Sequence, residues 1–215
     1  MRLVLGEGPV NLSLVERYDD NIPPYAILSH TWGTDSEEVT FQDLMEGTGK
    51  NKGGYGKIEF CRKQAAHDDL QFFWVDTCCI DKSNNTELTE AINSMFRWYK
   101  NADKCYVYLS DVSISRHATK GHLSPTIKAA FRESRWFRRG WTLQELIAPA
   151  SVDFFSREGH QIGSKRSLEQ QIHEITKIAF GALRGGPLAD LGLRSECPGR
   201  KVVKQSAKKM RYTHF

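Results

Sequence analysis

"YAILSHTW", residues Tyr25 to Trp32, follows the breaker Pro23-Pro24 and has the short apolar form of a buried strand. It ends in three polar residues, Ser29, His30 and Thr31. The same form recurs along the chain. "FFWVDTCCI" (Phe72–Ile80) is aromatic and β-branched and closes its apolar run on Asp76-Thr77, while "KCYVYLSDV" (Lys104–Val112) closes on Ser110-Asp111. A shorter run, "SVDFFS" (Ser151–Ser156), predicts a fourth strand.

Helical patterns fill the gaps. After the Gly/Lys/Asn loop "EGTGKNKGGYG", the segment "KIEFCRKQAAHD" sets Ile58, Cys61 and Ala65 at helical spacing. "SNNTELTEAINSMFRWYKNA" is the clearest helix: Asn84 or Asn85 caps it, and Glu87 and Glu90 suit its positive end. Its expected buried stripe is Leu88, Ile92, Met95 and Tyr99. A further helix is expected near Pro125–Glu133. "SLEQQIHEITKIA" opens with a capping box, Ser167 to Gln170, and is expected to bury Leu168, Ile172, Ile175 and Ala179. Strands alternating with helices predict an α/β fold, a single domain with a mostly parallel central sheet flanked by helices. Ligands of such sheets collect beyond the carboxyl ends of the strands. Ser29, Asp76 and Ser110 are therefore expected to share one edge.

Composition bounds the function. With 40% hydrophobic, 11% aromatic and 26% charged residues, the chain reads as an ordinary globular protein. No apolar run approaches the roughly 20 residues of a membrane span, and the N-terminus lacks a signal-peptide apolar region. Cys61, Cys78, Cys79, Cys105 and Cys197 are odd in number and mostly lie in apolar segments, which favours reduced core thiols and a cytoplasmic location. The net charge of +4 is uneven, because from Arg194 onward seven Lys/Arg face one acid. The organisation expected is a lead-in over 1–24, a folded domain over 25–180 and a basic, poorly ordered tail over 181–215. The positive charge therefore describes the tail and says little about the body, and no specific nucleic-acid partner is expected.

Several motifs invite chemistry. Cys78-Cys79 lacks the C-x-x-C spacing of a metal site, so no metal is expected; a Cys–His nucleophile with His30 is a minor alternative to core thiols. "KGGYGK" lacks phosphate-loop spacing and reads as a mobile surface loop. "WTLQEL" (Trp141–Leu146) places Trp141 and Glu145 one helical turn apart. Glu145 either points into a cleft walled by the indole or pairs with a nearby arginine, Arg138 or Arg139.

The order of these motifs is more specific than any one of them. "YAILSHTWG", "FFWVDTCCID", "MFRWYKNADKCYVYLSD", "SRWFRRGWTLQEL" and "VDFFS" together resemble the fungal heterokaryon incompatibility (HET) domain from about Tyr25 to Ala179. The resemblance implies a module of allorecognition and programmed cell death, commonly part of a larger protein, with protein partners or self-association. After the last helix the sequence departs from the family's usual Arg/Glu-rich continuation. A more remote resemblance is to TIR domains: "LSH" closes the first strand and W-x-x-x-E-L opens a helix after the third. This implies a TIR-like, flavodoxin-like arrangement. Some TIR domains hydrolyse NAD with the glutamate of that helix, and others only assemble signalling complexes. Carried over, Glu145 is the catalytic carboxylate and NAD the substrate, with Ser29, His30, Trp32 and Trp141 lining the cleft. A fixed carboxylate there stabilises the ribosyl cation left when nicotinamide departs, and the indole offers a stacking surface. The competing expectation is a non-catalytic adaptor that oligomerises.

Overall fold

The computed structural model describes residues 1–7, 11–18, 21–114 and 124–186. One sheet is built from β1 (Arg2–Glu7), β2 (Asn11–Glu16), β3 (Tyr25–His30), β4 (Phe72–Trp74), β5 (Lys104–Tyr108), β6 (Val152–Phe155) and β7 (Gln161–Ser164), in the spatial order β2-β1-β4-β3-β5-β6-β7. The centre is parallel: β3 pairs with β4 and β5, and β5 pairs with β6. The flanks are antiparallel, in the pairs β1–β2, β1–β4 and β6–β7. The sheet is therefore mixed, which corrects the expectation of a mostly parallel one. For the pairs β1–β2 and β6–β7 the cause is connection length. A parallel partner needs a crossover of a dozen or more residues. Only residues 8–10 join β1 to β2 and only residues 156–160 join β6 to β7, so both connections reverse the chain.

Helices α1 (Phe41–Met45) and α2 (Tyr55–His67) connect β3 to β4, and α3 (Asn85–Asn101) connects β4 to β5. Between β5 and β6 lie α4 (Pro125–Glu133), a 3-10 turn (Arg135–Arg138) and α5 (Thr142–Ile147); α6 (Glu169–Thr176) and α7 (Phe180–Leu183) follow β7. The basic segment from residue 187 on, which carries Cys197, lies outside the described residues.

Two layers of helix enclose the sheet. On one face Phe60 of α2 meets Tyr106, Tyr108 and Phe155, and the Tyr106 hydroxyl donates to Asp68 at 2.8 Å. On the other, Trp74 meets Trp98 and Tyr99 of α3, and Trp136 packs edge-on against Phe154. All six residues of β3 are buried, as a strand covered on both faces requires.

Local details depart from the sequence pattern. The Ser167 box does not form: Leu168 occupies the cap position of α6, and the Ser167 hydroxyl accepts from the Ser164 amide at 2.8 Å. Leu168 and Ile172 are buried as expected, but α6 stops at Thr176 with Lys177 left-handed (φ 61°), which leaves Ala179 exposed. The capping box that does form is Thr40–Asp43 at α1. "KGGYGK" is not a free loop, since α2 already starts at Tyr55 and Lys57 is buried. On α3 the fully buried face is Ala91, Met95, Trp98 and Tyr99, with Leu88 and Ile92 at its margin.

Candidate functional site at the carboxyl edge of the parallel strands

In chain order the four parallel strands are β3, β4, β5 and β6, and their spatial order is second-first-third-fourth. The direction of progression reverses between β3 and β5, the position where open α/β sheets leave a crevice beyond the strand ends. His30 stands opposite Tyr108 in register, and Asp76 follows β4 by two residues. Ser29, Asp76 and Ser110 thus share one edge, as expected.

Consecutive strand residues point to opposite faces, so Ser29 and His30 serve different clusters. Ser29 faces α5. Its hydroxyl donates to Glu145 Oε2 at 2.6 Å and accepts from the Trp136 indole at 2.7 Å. Arg139 reaches the same carboxylate with both guanidinium nitrogens, at 2.8 Å to Oε2 and 3.2 Å to Oε1. Glu145 is only 3% exposed, so both oxygens are engaged and the charge is matched inside the protein. Of the two pairings the sequence left open, the carboxylate takes Arg139; Arg138 turns outward to Glu133.

Placement of Glu145 follows from the segment before it. Ser134 ends α4 and accepts from the Trp136 amide, so the chain turns sharply and drives Trp136 into the core. Thr142 Oγ1 then donates to the Trp136 carbonyl at 2.5 Å, tying α5 to the turn. Trp141 sits at the cap position of α5, half-buried, and its carbonyl accepts from the Glu145 amide at 3.2 Å.

The second cluster centres on Asp76. His30 Nε2 lies 2.9 Å from Asp76 Oδ1, and the Trp32 indole donates to Oδ2 at 2.9 Å. Lys82 lies over the Trp32 ring, 3.7 Å from its centroid. Burial pushes the Asp76 carboxyl up, but His30, Lys82 and Arg139 outweigh it and hold the group far below the usual carboxylate range. A carboxylate only accepts hydrogen bonds, so the Nε2–H tautomer of His30 is the one that fits this contact. Arg139 feels both acids: burial pulls its pKa down, and Glu145 and Asp76 more than restore it. A third pair supports the loop after β3, where Glu38 accepts from the Gly33 amide at 2.6 Å and from the buried Lys57 ammonium.

The structure thus brings Ser29 to Glu145 and brings His30 to Trp32 through Asp76. Trp141 meets the first group only through its backbone, whose carbonyl accepts from the Glu145 amide. Partners that the sequence analysis did not single out are Trp136 and the Glu38–Lys57 pair. A serine two residues before a tryptophan is the sequence mark of the turn that buries Trp136; nothing local marks Lys57 as buried. Cys61, Cys78, Cys79 and Cys105 are buried free thiols, and His30 is committed to Asp76, so no Cys–His pair forms among the described residues. Contact with Cys79 and burial push the Cys78 thiol up, away from the thiolate. Among the described residues no group of three or more His, Cys, Asp or Glu is placed to hold a metal ion.

Comparison with known proteins gives this geometry a family. The family model for the heterokaryon incompatibility protein (HET) matches residues 25–123, a span that includes β3, β4 and β5. Vegetative incompatibility protein HET-E-1 of Podospora anserina is 62% identical over 172 residues, which is 80% of this chain. The chain spans only 12% of that protein's length. No solved structure matches the chain. Motif order, family match and close relative agree: the chain belongs to the heterokaryon incompatibility (HET) family.

Proposed function

We propose that the chain is a signalling module of fungal non-self recognition whose activation leads to programmed cell death. The observation that carries this is the 62% identity to a vegetative incompatibility protein across four-fifths of the chain. The site adds a physical reason to prefer signalling over catalysis. Glu145 is buried, bidentate with Arg139 and bonded to Ser29, so its charge is already spent on the fold. Such a cluster fixes β3, the turn after α4 and α5 relative to one another and so holds a defined surface for protein partners or a second copy. The strand order of the parallel centre supports a TIR-like, flavodoxin-like arrangement. Action in the cytoplasm fits this role, and no described helix is long and apolar enough to cross a membrane. The test is induced expression of the chain in a fungal host, with viability followed against the amount of folded protein. Unimpaired growth with abundant folded chain, alone or fused to an oligomerising partner, sinks the proposal.

One observation favours a second reading, NAD hydrolysis centred on Glu145: the carboxylate and Ser29 converge at the reversal point of the sheet. Catalysis there requires Arg139 to release the carboxylate first. Nicotinamide release from NAD by the purified, forcibly oligomerised chain tests it, and absence of turnover removes it.

A further inference from the structure

Lys165, just after β7, has a buried side chain and no acid within ion-pair distance among the described residues. Buried lysines are normally matched by a carboxylate. This ammonium instead donates to two carbonyls, Pro149 O at 2.7 Å and Leu146 O at 3.2 Å. Both belong to the C-terminal end of α5 and the residues just past it. The last carbonyls of a helix lack intrahelical partners and carry the negative end of its dipole, so a cation is favoured there. Burial pulls the Lys165 pKa down, as expected of an ammonium matched only by dipoles.

The helix that Lys165 holds is short. Six residues are too few to remain helical unaided, so α5 depends on what grips its ends. The N-terminal grip is Thr142 on the Trp136 carbonyl; at the C-terminal end, Lys165 takes the carbonyl of Leu146, the residue after Glu145. We infer that Lys165 is a positioning residue for the edge cluster: it anchors the end of α5 and so sets the Glu145 carboxylate against Ser29 and Arg139. This holds whether the cluster signals or catalyses. Without the ammonium, two buried carbonyls lose their donor, and α5 recovers hydration only by shifting or unwinding. Glu145 moves with it.

A residue that merely fills the core would, on replacement, loosen the whole sheet evenly. Hydrogen exchange by NMR on the full chain separates the two roles. The reporter is the Trp136 indole N–H, which donates to Ser29, and the reference is the set of backbone amides in β1 and β3. In Lys165→Met the indole proton is expected to exchange about tenfold faster while the reference amides stay within about twofold of wild type. Lys165→Gln keeps a neutral donor of shorter reach and is expected to fall between. Three results overturn the inference: an unchanged indole rate in a folded variant, equal acceleration of indole and sheet amides, or failure of both variants to fold.

Discussion

Replacing Glu145 by glutamine keeps the side chain's shape and removes its charge. The carboxylate accepts three hydrogen bonds, from Ser29 at 2.6 Å and from Arg139 at 2.8 and 3.2 Å. Glutamine retains one acceptor oxygen and turns an amide donor toward a guanidinium that also only donates. Breaking a buried pair by removing one partner costs about 3–5 kcal/mol, because the other charge stays desolvated. Arg139 retains 18% side-chain exposure and lies within the field of Asp76, which places the loss at the low end, about 3 kcal/mol. For a chain of this size each kcal/mol moves the melting temperature by about 2–4 °C, so Glu145→Gln is expected to melt about 6–12 °C lower. Urea unfolding gives the free energy directly. Arg139→Gln is expected to cost a similar amount, and the double variant less than the two combined by about 2 kcal/mol, since it strands no charge. A loss below about 1 kcal/mol, or strict additivity, refutes the pairing.

Other consequences are independent. Asp76 has a folded-state pKa held below its ordinary value, so the stability it contributes is present above about pH 4 and lost as acid protonates the native carboxyl. Glu158, where hydrogen bonds from Ile114, Ser113 and Ser156 outweigh burial and lower the pKa to about 2, acts in the same direction. Unfolding followed from pH 7 to pH 2 should show a falling acid limb that Asp76→Asn makes shallower. Gly54→Ala would place a Cβ 2.7 Å from the Glu37 carbonyl oxygen, and a loss of about 1–3 kcal/mol is expected in thermal unfolding. Lys82→Met removes the cation over Trp32 and should cost about 0.5–1 kcal/mol, with a change in tryptophan fluorescence.

The parallel centre was legible because its strands are apolar on both faces: "YAILSH", "FFWV" and "KCYVY" carry the signal alone. The flanking strands were not. In β2, Leu12 and Leu14 alternate with polar residues over a short stretch, and β7 reads only "QIGS", too brief for a period to show. At the site, the resemblance to TIR domains implied Ser29, His30, Trp32 and Glu145 as neighbours of one edge. It did not supply their division between two faces. That division follows from strand parity once β3 is known to be covered on both sides, and it sends His30 to Asp76 rather than to Glu145. Arg139 was one of two candidates; the 3-10 turn selects it by pointing Arg138 outward. Lys165 and Lys57 were illegible, because composition does not reveal a buried lysine whose partners are distant in sequence.

In the proposed function the chain signals cell death with Glu145 serving as the structural partner of Arg139. Killing per folded molecule tests it most directly: wild-type chain and Glu145→Gln are expressed in a fungal host, and loss of viability is divided by the folded protein present. Killing by the variant is expected to fall only in proportion to its folded amount, so that the ratio matches wild type. A variant that is abundant, folded and unable to kill would contradict it and make Glu145 a reacting group.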